Sequence, residues 1–317
     1  MTAHARPVNQ GPMLEVENLS LAFGGVRAVD ALSFTVNPGE VFAIIGPNGA
    51  GKTSVFNAIT RVFDPQGGAI RVRGCDMLAL KRHQVIGAGV ARTFQNIELF
   101  EGASVLDNLM LGRHRFAQGS FLAQWFRPPS VARAEAASRE RIEDIIELLD
   151  LAAWRNAPVA GLPYGVRKVV ELARALAAEP ALLLLDEPAS GLNPEETRDL
   201  SFWIDDIRHD LGITVVMVEH DMSLVARAAD RVLCMNQGAA LALGKPADVQ
   251  SDPRAFRSRA HAGRRGAAAA WAGRRGRVAK RRQHDRCAEG RAGRPCAGGL
   301  RPHRGQPAIA AGPAAAR

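Results

Sequence analysis

Residues 46–53 read GPNGAGKT, and they follow directly on a short, fully apolar run at 41–45, VFAII. The order matches the pattern GxxxxGK[ST], placed between a buried strand and a helix as that pattern requires. Glycines in such a turn leave room for successive backbone N–H groups to point at phosphate oxygens, and the positive end of the following helix adds to the attraction. The sequence therefore predicts a phosphate-binding loop.

The two last residues of this loop have separate chemical tasks. Lys52 supplies a point charge for the β- and γ-phosphates of a nucleoside triphosphate, and the Thr53 hydroxyl is a hard oxygen ligand suited to Mg²⁺. The predicted nucleotide-binding residues of the loop are Gly46, Pro47, Asn48, Gly49, Ala50, Gly51, Lys52, Thr53 and Ser54.

A second apolar run, at 182–185, ends in the carboxylates Asp186 and Glu187 and then Pro188. Open α/β sheets bind their ligands beyond the carboxyl ends of the strands, so both carboxylates should face the phosphate loop. We expect Asp186 to hold the magnesium shell and Glu187 to polarise the attacking water. Together with the loop, this pair predicts hydrolysis of a nucleoside triphosphate.

Hydrophobic patterning predicts an α/β fold. Residues 13–21 and 31–36 read as an antiparallel hairpin whose first strand is an edge strand, whereas 41–45, 182–185 and 213–218 read as buried strands. Helices are predicted from Lys52 and over 167–178, so strands and helices alternate, as in a mostly parallel sheet. Between 105 and 151 the pattern is helical, with four apolar residues on one face: Ile142, Ile145, Ile146 and Leu149.

The charge of the chain is unevenly distributed. The formal net charge is +9, but residues 254–317 hold 17 Lys and Arg against 2 Asp and Glu, which leaves 24 against 30 in residues 1–253. The body is therefore mildly acidic, and we expect no specific nucleic-acid partner for it. The four cysteines form no CxxC pair, and no apolar run reaches membrane-spanning length, so we expect a cytoplasmic protein that meets a membrane only through a partner.

These motifs, in this order and spacing, resemble the ATP-binding-cassette family over nearly all of residues 13–253. The resemblance implies ATP and Mg²⁺ as cofactors, ATPase activity, and a P-loop fold with an antiparallel β subdomain and a helical subdomain at about 96–165. Four further segments carry it: a glutamine loop at 92–95 (RTFQ), a signature at 162–166 (LPYGV), a D-loop at 190–193 (SGLN) and a switch segment at 218–221 (VEHD).

The resemblance also implies roles for single residues. Gln95 would contact the magnesium and water shell and relay the nucleotide state to a membrane subunit, and His220 would contact the γ-phosphate. Phe23 falls where the family stacks an aromatic ring on adenine, with a core or edge phenylalanine as the alternative. The implied D-loop residues are Ser190, Gly191, Leu192 and Asn193.

Within the family, the sequence is most similar to the larger ATPase subunit of branched-chain amino acid importers. The similarity rests on the segments FGGVRAV at 23–29, ARTFQNI at 91–97, WF at 125–126, ASGLNPEET at 189–197 and VEHDM at 218–222. It implies a second ATPase subunit, two transmembrane permease subunits, an indirect periplasmic solute-binding protein, and a peripheral position on the inner face of the cell membrane. Importers of amides and urea share much of this pattern.

The signature departs from the family. Two such subunits are implied to sandwich ATP between the phosphate loop of one and the signature of the other. Here Pro163 stands for the usual Ser and Val166 for the usual Gln, so we expect unequal sites in a heterodimer, although a homodimer stays open. The implied signature residues are Leu162, Pro163, Tyr164, Gly165 and Val166.

Both ends of the chain differ from the body. Residues 1–12 are expected to be a flexible N-terminus, 13–253 the ATPase domain, and 254–317 a disordered basic segment rich in Arg, Ala, Gly and Pro. Because the resemblance stops abruptly at Pro253, a frameshift near codon 254 is one hypothesis. A natural basic tail, or one that binds anionic lipid or nucleic acid, is the other.

Two other function classes are alternatives. A soluble cassette ATPase acting on nucleic acid or the ribosome is favoured only by the basic tail, since the chain carries one uninterrupted cassette. A regulator that binds ATP without hydrolysing it is disfavoured by the presence of Glu187 and His220.

Overall fold

The computed structural model describes residues 11–93, 98–113, 116 and 129–252, apart from the side chains of 129–132 and 134. The expectations for the two ends of the chain, for Gln95 and for Trp125 and Phe126 lie outside the described residues.

The strands are β1 (Leu14–Phe23), β2 (Val26–Val36), β3 (Val41–Ile45), β4 (Gly67–Val72), β5 (Cys75–Asp76), β6 (Val90–Arg92), β7 (Leu182–Asp186), β8 (Thr214–Val218), β9 (Arg231–Asn236) and β10 (Ala239–Gly244). The helices are α1 (Lys52–Ile59), α2 (Val105–Gly112), α3 (Pro129–Leu148), α4 (Tyr164–Ala177), α5 (Pro194–His209), α6 (Met222–Ala228) and α7 (Pro246–Ser251).

The larger sheet has six strands in the order β10-β9-β3-β8-β7-β6. Five of them run parallel, and only β10 is antiparallel to its neighbour β9. The carboxyl ends of β3, β7 and β8 therefore meet at one edge of the sheet, where the phosphate loop, the carboxylate pair and the switch segment begin. The prediction of a mostly parallel sheet is confirmed.

The smaller sheet is antiparallel, with the order β2-β1-β4-β5. The predicted hairpin of β1 and β2 is confirmed, but the prediction of β1 as an edge strand is wrong, because β1 pairs with β2 on one side and β4 on the other. The half-polar alternation of β1 has another cause: one of its faces lies in the core and the other faces outward. Such alternation is typical of any antiparallel strand with one solvated face, whether central or at an edge.

Strand β3 lies between two hydrophobic clusters, one on each face of the larger sheet. All five of its residues are buried, and successive side chains point to opposite faces. Val41, Ala43 and Ile45 pack with helices α2 to α5, whereas Phe42 and Ile44 pack with α1 and the smaller sheet. A strand buried on both faces needs an unbroken apolar run, which is the pattern that the sequence has at 41–45.

The apolar face predicted for the helical segment is buried. Ile142, Ile145 and Ile146 of α3, with Leu149 just after it, all lie in the same hydrophobic cluster as Val41, Ala43 and Ile45 of β3. Helix α4 begins at Tyr164, three residues before the predicted start, so that most of the predicted signature is part of the helix rather than ahead of it.

Candidate functional site

The phosphate loop links β3 to α1, and its backbone conformations need glycine at two places. Gly51 precedes α1 with φ of 97°, and a Cβ there would lie 2.2 Å from the carbonyl oxygen of Ala28. A Cβ on Gly46 would lie 2.3 Å from the carbonyl oxygen of Met235. A side chain at either position would collide with backbone atoms. Glycine therefore allows the tight packing that keeps the N–H groups of the loop close to the place where a phosphate would sit.

Lys52 lies at the first position of α1 and is buried. Its Nζ donates to the carbonyl oxygens of Gly46 at 2.9 Å and Pro47 at 3.2 Å, so the side chain folds back over the loop. Burial lowers the pKa of Lys52, and the nearby carboxylates of Glu187 and Asp186 oppose that shift. The ammonium and the two carboxylates thus occupy one neighbourhood, as the sequence predicted.

Asp186 ends strand β7 and is fully buried. Its Oδ2 accepts from Nη2 of Arg92 at 2.7 Å, and its Oδ1 has no hydrogen-bond partner among the described residues. The Arg92 side chain also donates to Oδ1 of Asn57 in α1 at 2.7 Å. Arg92 therefore joins β6, β7 and α1 beneath the loop.

The segment RTFQ at 92–95 indicates no separate role for Arg92. One local signal was available: Arg92 is a charged residue at the end of the apolar segment 90–91, which is the place for a buried partner of opposite charge. The partner itself lies 94 residues away in the chain, so only the pairing of β6 with β7 identifies it.

Glu187 follows Asp186 in an uncommon conformation, with φ of 48°. Its N–H donates to the carbonyl oxygen of Val218 at 2.9 Å, which fixes the turn to the end of β8. Its Oε2 lies 3.9 Å from Nδ1 of His220, whose side chain is largely exposed. A non-glycine residue in this region costs about 1–3 kcal/mol and is concentrated at functional sites.

The D-loop and the signature lie against each other within this chain. The ring of Tyr164 covers Gly191, where a Cβ would approach Cε1 of the ring to 2.7 Å, and Tyr164 Oη is 3.5 Å from the carbonyl oxygen of Ser190. Asn193 caps α5 by accepting from the N–H groups of Glu195 and Glu196, both at 2.9 Å.

The signature residues differ in exposure. Leu162 is buried in the core, Pro163 and Tyr164 are exposed, and Val166 is half-buried against the core. No side chain caps the N-terminus of α4 at Pro163. The surface that the signature offers therefore consists mainly of the Pro163 and Tyr164 side chains and the first backbone N–H groups of the helix.

Phe23 ends β1 and is 43% exposed, which places it outside the core. Its ring meets the edge of the Phe63 ring at 4.9 Å between centroids. The exposed face of Phe23 is compatible with an adenine ring stacking on it.

The comparisons with known proteins agree with this geometry. The family described as "ABC transporter" matches residues 29–190. The chain is 40% identical over 242 residues to the "High-affinity branched-chain amino acid transport ATP-binding protein BraF" of Pseudomonas aeruginosa, covering 76% of this chain and 95% of that one. It is 37% identical over 247 residues to the corresponding LivG protein of Escherichia coli, covering 78% of this chain and 97% of that one. A solved ATP-binding cassette of an ABC transporter in its ADP conformation matches with a TM-score of 0.69 at 29% identity, covering 78% of this chain and 98% of that one.

A parallel sheet that delivers a glycine-rich loop, a buried lysine and a carboxylate pair to one edge defines the P-loop class of nucleoside triphosphatases. The chain belongs to the ABC transporter family, as the family match and the relatives above show. Among the helices of the described residues, none combines the length and the hydrophobicity needed to cross a bilayer.

Proposed function

We propose that this chain binds ATP at residues 46–54 and hydrolyses it to power an ABC importer of branched-chain amino acids. The observation that carries the proposal is the convergence of Lys52, Asp186, Glu187 and His220 at one edge of the sheet, beside an uncapped helix N-terminus. The similarity to two ATP-binding proteins named for branched-chain amino acid transport supports the substrate class.

The residues present fit a magnesium ion. Asp186 Oδ1 is buried without a hydrogen-bond partner in the described part of the chain, and the Thr53 hydroxyl is exposed in the first turn of α1. Both are hard oxygen donors. Asp186 and Thr53 would hold the ion, which would supply positive charge to the triphosphate. Gln95, the third proposed ligand, comes from the resemblance alone.

Hydrolysis in this proposal is a displacement at the γ-phosphorus. Glu187 accepts a proton from water as the water oxygen bonds to phosphorus, and the bond from phosphorus to the β–γ bridging oxygen breaks to release ADP and phosphate. Lys52 and the loop N–H groups stabilise the charge on the phosphates, and His220 contacts the γ-phosphate. Phe23 stacks on adenine. The short separation of Glu187 from His220 is consistent with both acting on the same phosphate.

This chain acts with partner subunits. The Leu162–Val166 segment faces the nucleotide of a second ATPase subunit, with Ser190 to Asn193 at the same interface. Two permease subunits anchor the pair to the inner face of the membrane, and a periplasmic protein supplies the solute. The packing of Tyr164 on Gly191 supports one surface built from signature and D-loop together.

The test is to purify the chain with its two permease subunits and second ATPase subunit in lipid nanodiscs. We expect Mg²⁺-ATP binding by wild type and Glu187→Gln alike. The ATPase rate of the Glu187→Gln complex should fall by about 10–100-fold, to the rate of the opposite site, because the proton acceptor is lost only at this chain's own site. Leucine with its binding protein should stimulate the wild-type rate, whereas urea and a short aliphatic amide should not. Failure of the wild-type complex to retain Mg²⁺-ATP would overturn the proposal.

A further inference from the structure

Glu219 is a fully buried carboxylate for which the proposed mechanism has no use. It lies one residue before His220, directly after β8. Its Oε1 accepts from the N–H of Ala189 at 2.7 Å, and its Oε2 accepts from the N–H groups of His220 at 2.9 Å and Asp221 at 3.0 Å. Burial raises the pKa of Glu219, although these three donors oppose the shift.

The two carboxylate oxygens serve different loops. Oε1 bonds to the segment that follows β7, and Oε2 bonds to the segment that follows β8, 30 residues further along the chain. A buried carboxylate is tolerated only when it is well hydrogen-bonded, and bonds from a charged acceptor are stronger and shorter than neutral ones. Because the carboxylate is small and rigid, it fixes the distance between the two loops.

Those loops carry the two proposed hydrolytic side chains. Glu187 stands two residues before Ala189, and its carbonyl oxygen accepts from the N–H of Ser190 at 3.0 Å. His220 follows Glu219 directly, and its Nδ1 is 3.9 Å from Oε2 of Glu187. The N–H of Glu219 also donates to the carbonyl oxygen of Ile44 at 3.1 Å, in the strand that leads into the phosphate loop. Glu219 thus contacts all three segments of the site.

We propose that Glu219 is a positioning residue whose buried carboxylate holds Glu187 and His220 at their working separation and links His220 to the start of the D-loop. The inference deepens the proposed function and rests on it. Glu219 touches neither nucleotide nor water in this role, so its effect falls on the hydrolytic step and not on ATP binding.

Glu219→Gln is the informative substitution. The amide has one acceptor oxygen, and its NH₂ group must then face an N–H donor, either at Ala189 or at His220 and Asp221. One of the two loops is therefore released. In the importer complex we expect kcat for ATP hydrolysis to fall by about tenfold or more, the size of effect of a lost charge-assisted hydrogen bond, with KM for ATP changed less than about twofold.

A double-mutant cycle with His220→Ala tests whether Glu219 acts through the histidine. If it does, Glu219→Gln lowers kcat in the wild-type background but has little further effect once His220 is gone. Multiplying losses in the double variant would mean that Glu219 acts independently of His220, and that outcome overturns the inference.

Glu40→Gln is the matched control for stability. Glu40 is also a buried carboxylate; it accepts from the N–H of Asn37 at 2.7 Å and pairs with Arg231 at 3.1 Å, at the opposite end of β3 from the phosphate loop. We expect Glu40→Gln to lower the melting temperature while leaving kcat close to wild type.

An equal loss of kcat in both variants would reduce Glu219 to a purely structural role and overturn the inference. A different result is expected if this chain does not hydrolyse ATP as proposed. The wild-type complex and the His220→Ala variant would then show the same residual ATPase rate.

Discussion

Two helix N-termini in this protein look alike electrostatically but are built in different ways. Helices α1 and α4 both lack a side-chain cap and have no acidic residue in the first turn, whereas Ser104, Asn193 and Asp221 cap α2, α5 and α6. An uncapped N-terminus presents unpaired N–H groups and the positive end of the helix dipole, which suit a phosphate. The phosphate loop and the signature are thus two termini of this kind, one proposed for this chain's own nucleotide and one for its partner's.

The difference lies in what surrounds each terminus. Gly51 before α1 is in a left-handed conformation and packs against the carbonyl of Ala28, so backbone confines the loop. At α4, a Cβ on Gly165 would meet Oε1 of Glu196 at 2.3 Å, which is the end of a flexible side chain. The phosphate loop is therefore rigid and depends on glycine, whereas the signature is adaptable and depends on its side chains. A site that depends on side chains, as the signature does, tolerates sequence divergence more easily than a loop that depends on glycine.

The largest expected effect is a direct test of this difference in rigidity. Gly51→Ala should lower the free energy of unfolding by about 2–4 kcal/mol, because it combines a strained φ with a clash against backbone. Gly165→Ala should cost less, about 1 kcal/mol, since Glu196 can turn away at the loss of the hydrogen bond that it accepts from the N–H of Asn193. Urea unfolding of the purified chain measures both. Equal losses would show that the two termini are equally confined.

The second prediction concerns the divergent side chains of the signature. Pro163 offers neither a hydroxyl nor an N–H, and Val166 offers no amide, so a phosphate across the interface gains no side-chain hydrogen bond there. Restoring these groups with Pro163→Ser and Val166→Gln together should raise turnover at the opposite site by about 10–100-fold. The measurement is the ATPase rate of the complete importer complex.

Combining these changes with Glu187→Gln isolates the opposite site. In a heterodimer this chain's own site is then silent, and the remaining ATPase activity reports only the site that its signature completes. In a homodimer both sites are silenced and no gain is visible. Pro163→Ser alone is the control for the partly buried Val166, where a polar side chain also costs packing. No gain from any combination in an active heterodimer would mean that the signature works without these side chains.

Local sequence patterns were sufficient for the site residues that stand at strand ends. The buried runs before Gly46, Asp186 and His220 are short and apolar, and parallel strands bring their carboxyl ends together, so the convergence followed from the pattern. The proximity of Arg92 to Asp186 and of Glu219 to Ala189 did not follow. Both contacts join residues 30 or more positions apart, and neither residue's burial is visible in its own segment.

The unpredicted parts of the fold have the same cause. Strand β6 has three residues and β5 has two, too few for a period to be recognised, and β4 begins with two glycines. The central place of β1 depends on its pairing with β4, about 50 residues away, and not on β1 itself. The positive φ of Glu187 is likewise imposed by its bond to Val218 and has no signal in the residue type.

The smallest expected effect is a difference in how side chains near the two helix N-termini make stability depend on pH. The pKa of Glu219, beside the phosphate loop, is raised in the folded protein above its ordinary value of 4.5 by burial. The folded state therefore holds this proton more tightly than the unfolded state. The stability that this proton contributes is complete below pH 4.5 and is lost as the pH rises through the folded pKa. The side chain of Tyr164, at the signature, makes no such buried contact and is about half exposed.

Urea unfolding at a series of pH values from below 4.5 to neutrality should show this slope in wild type and a flatter profile in Glu219→Gln, which cannot titrate. Tyr164→Phe, which removes only the hydroxyl near Ser190, should keep the wild-type slope. The free energy of unfolding of each variant is compared with that of wild type at the same pH, so that the contributions of the many other carboxylates cancel. If Glu219→Gln and wild type lose stability in parallel across the whole range, the pKa of Glu219 is the same in the folded and unfolded states, and its N–H donors offset the whole effect of burial.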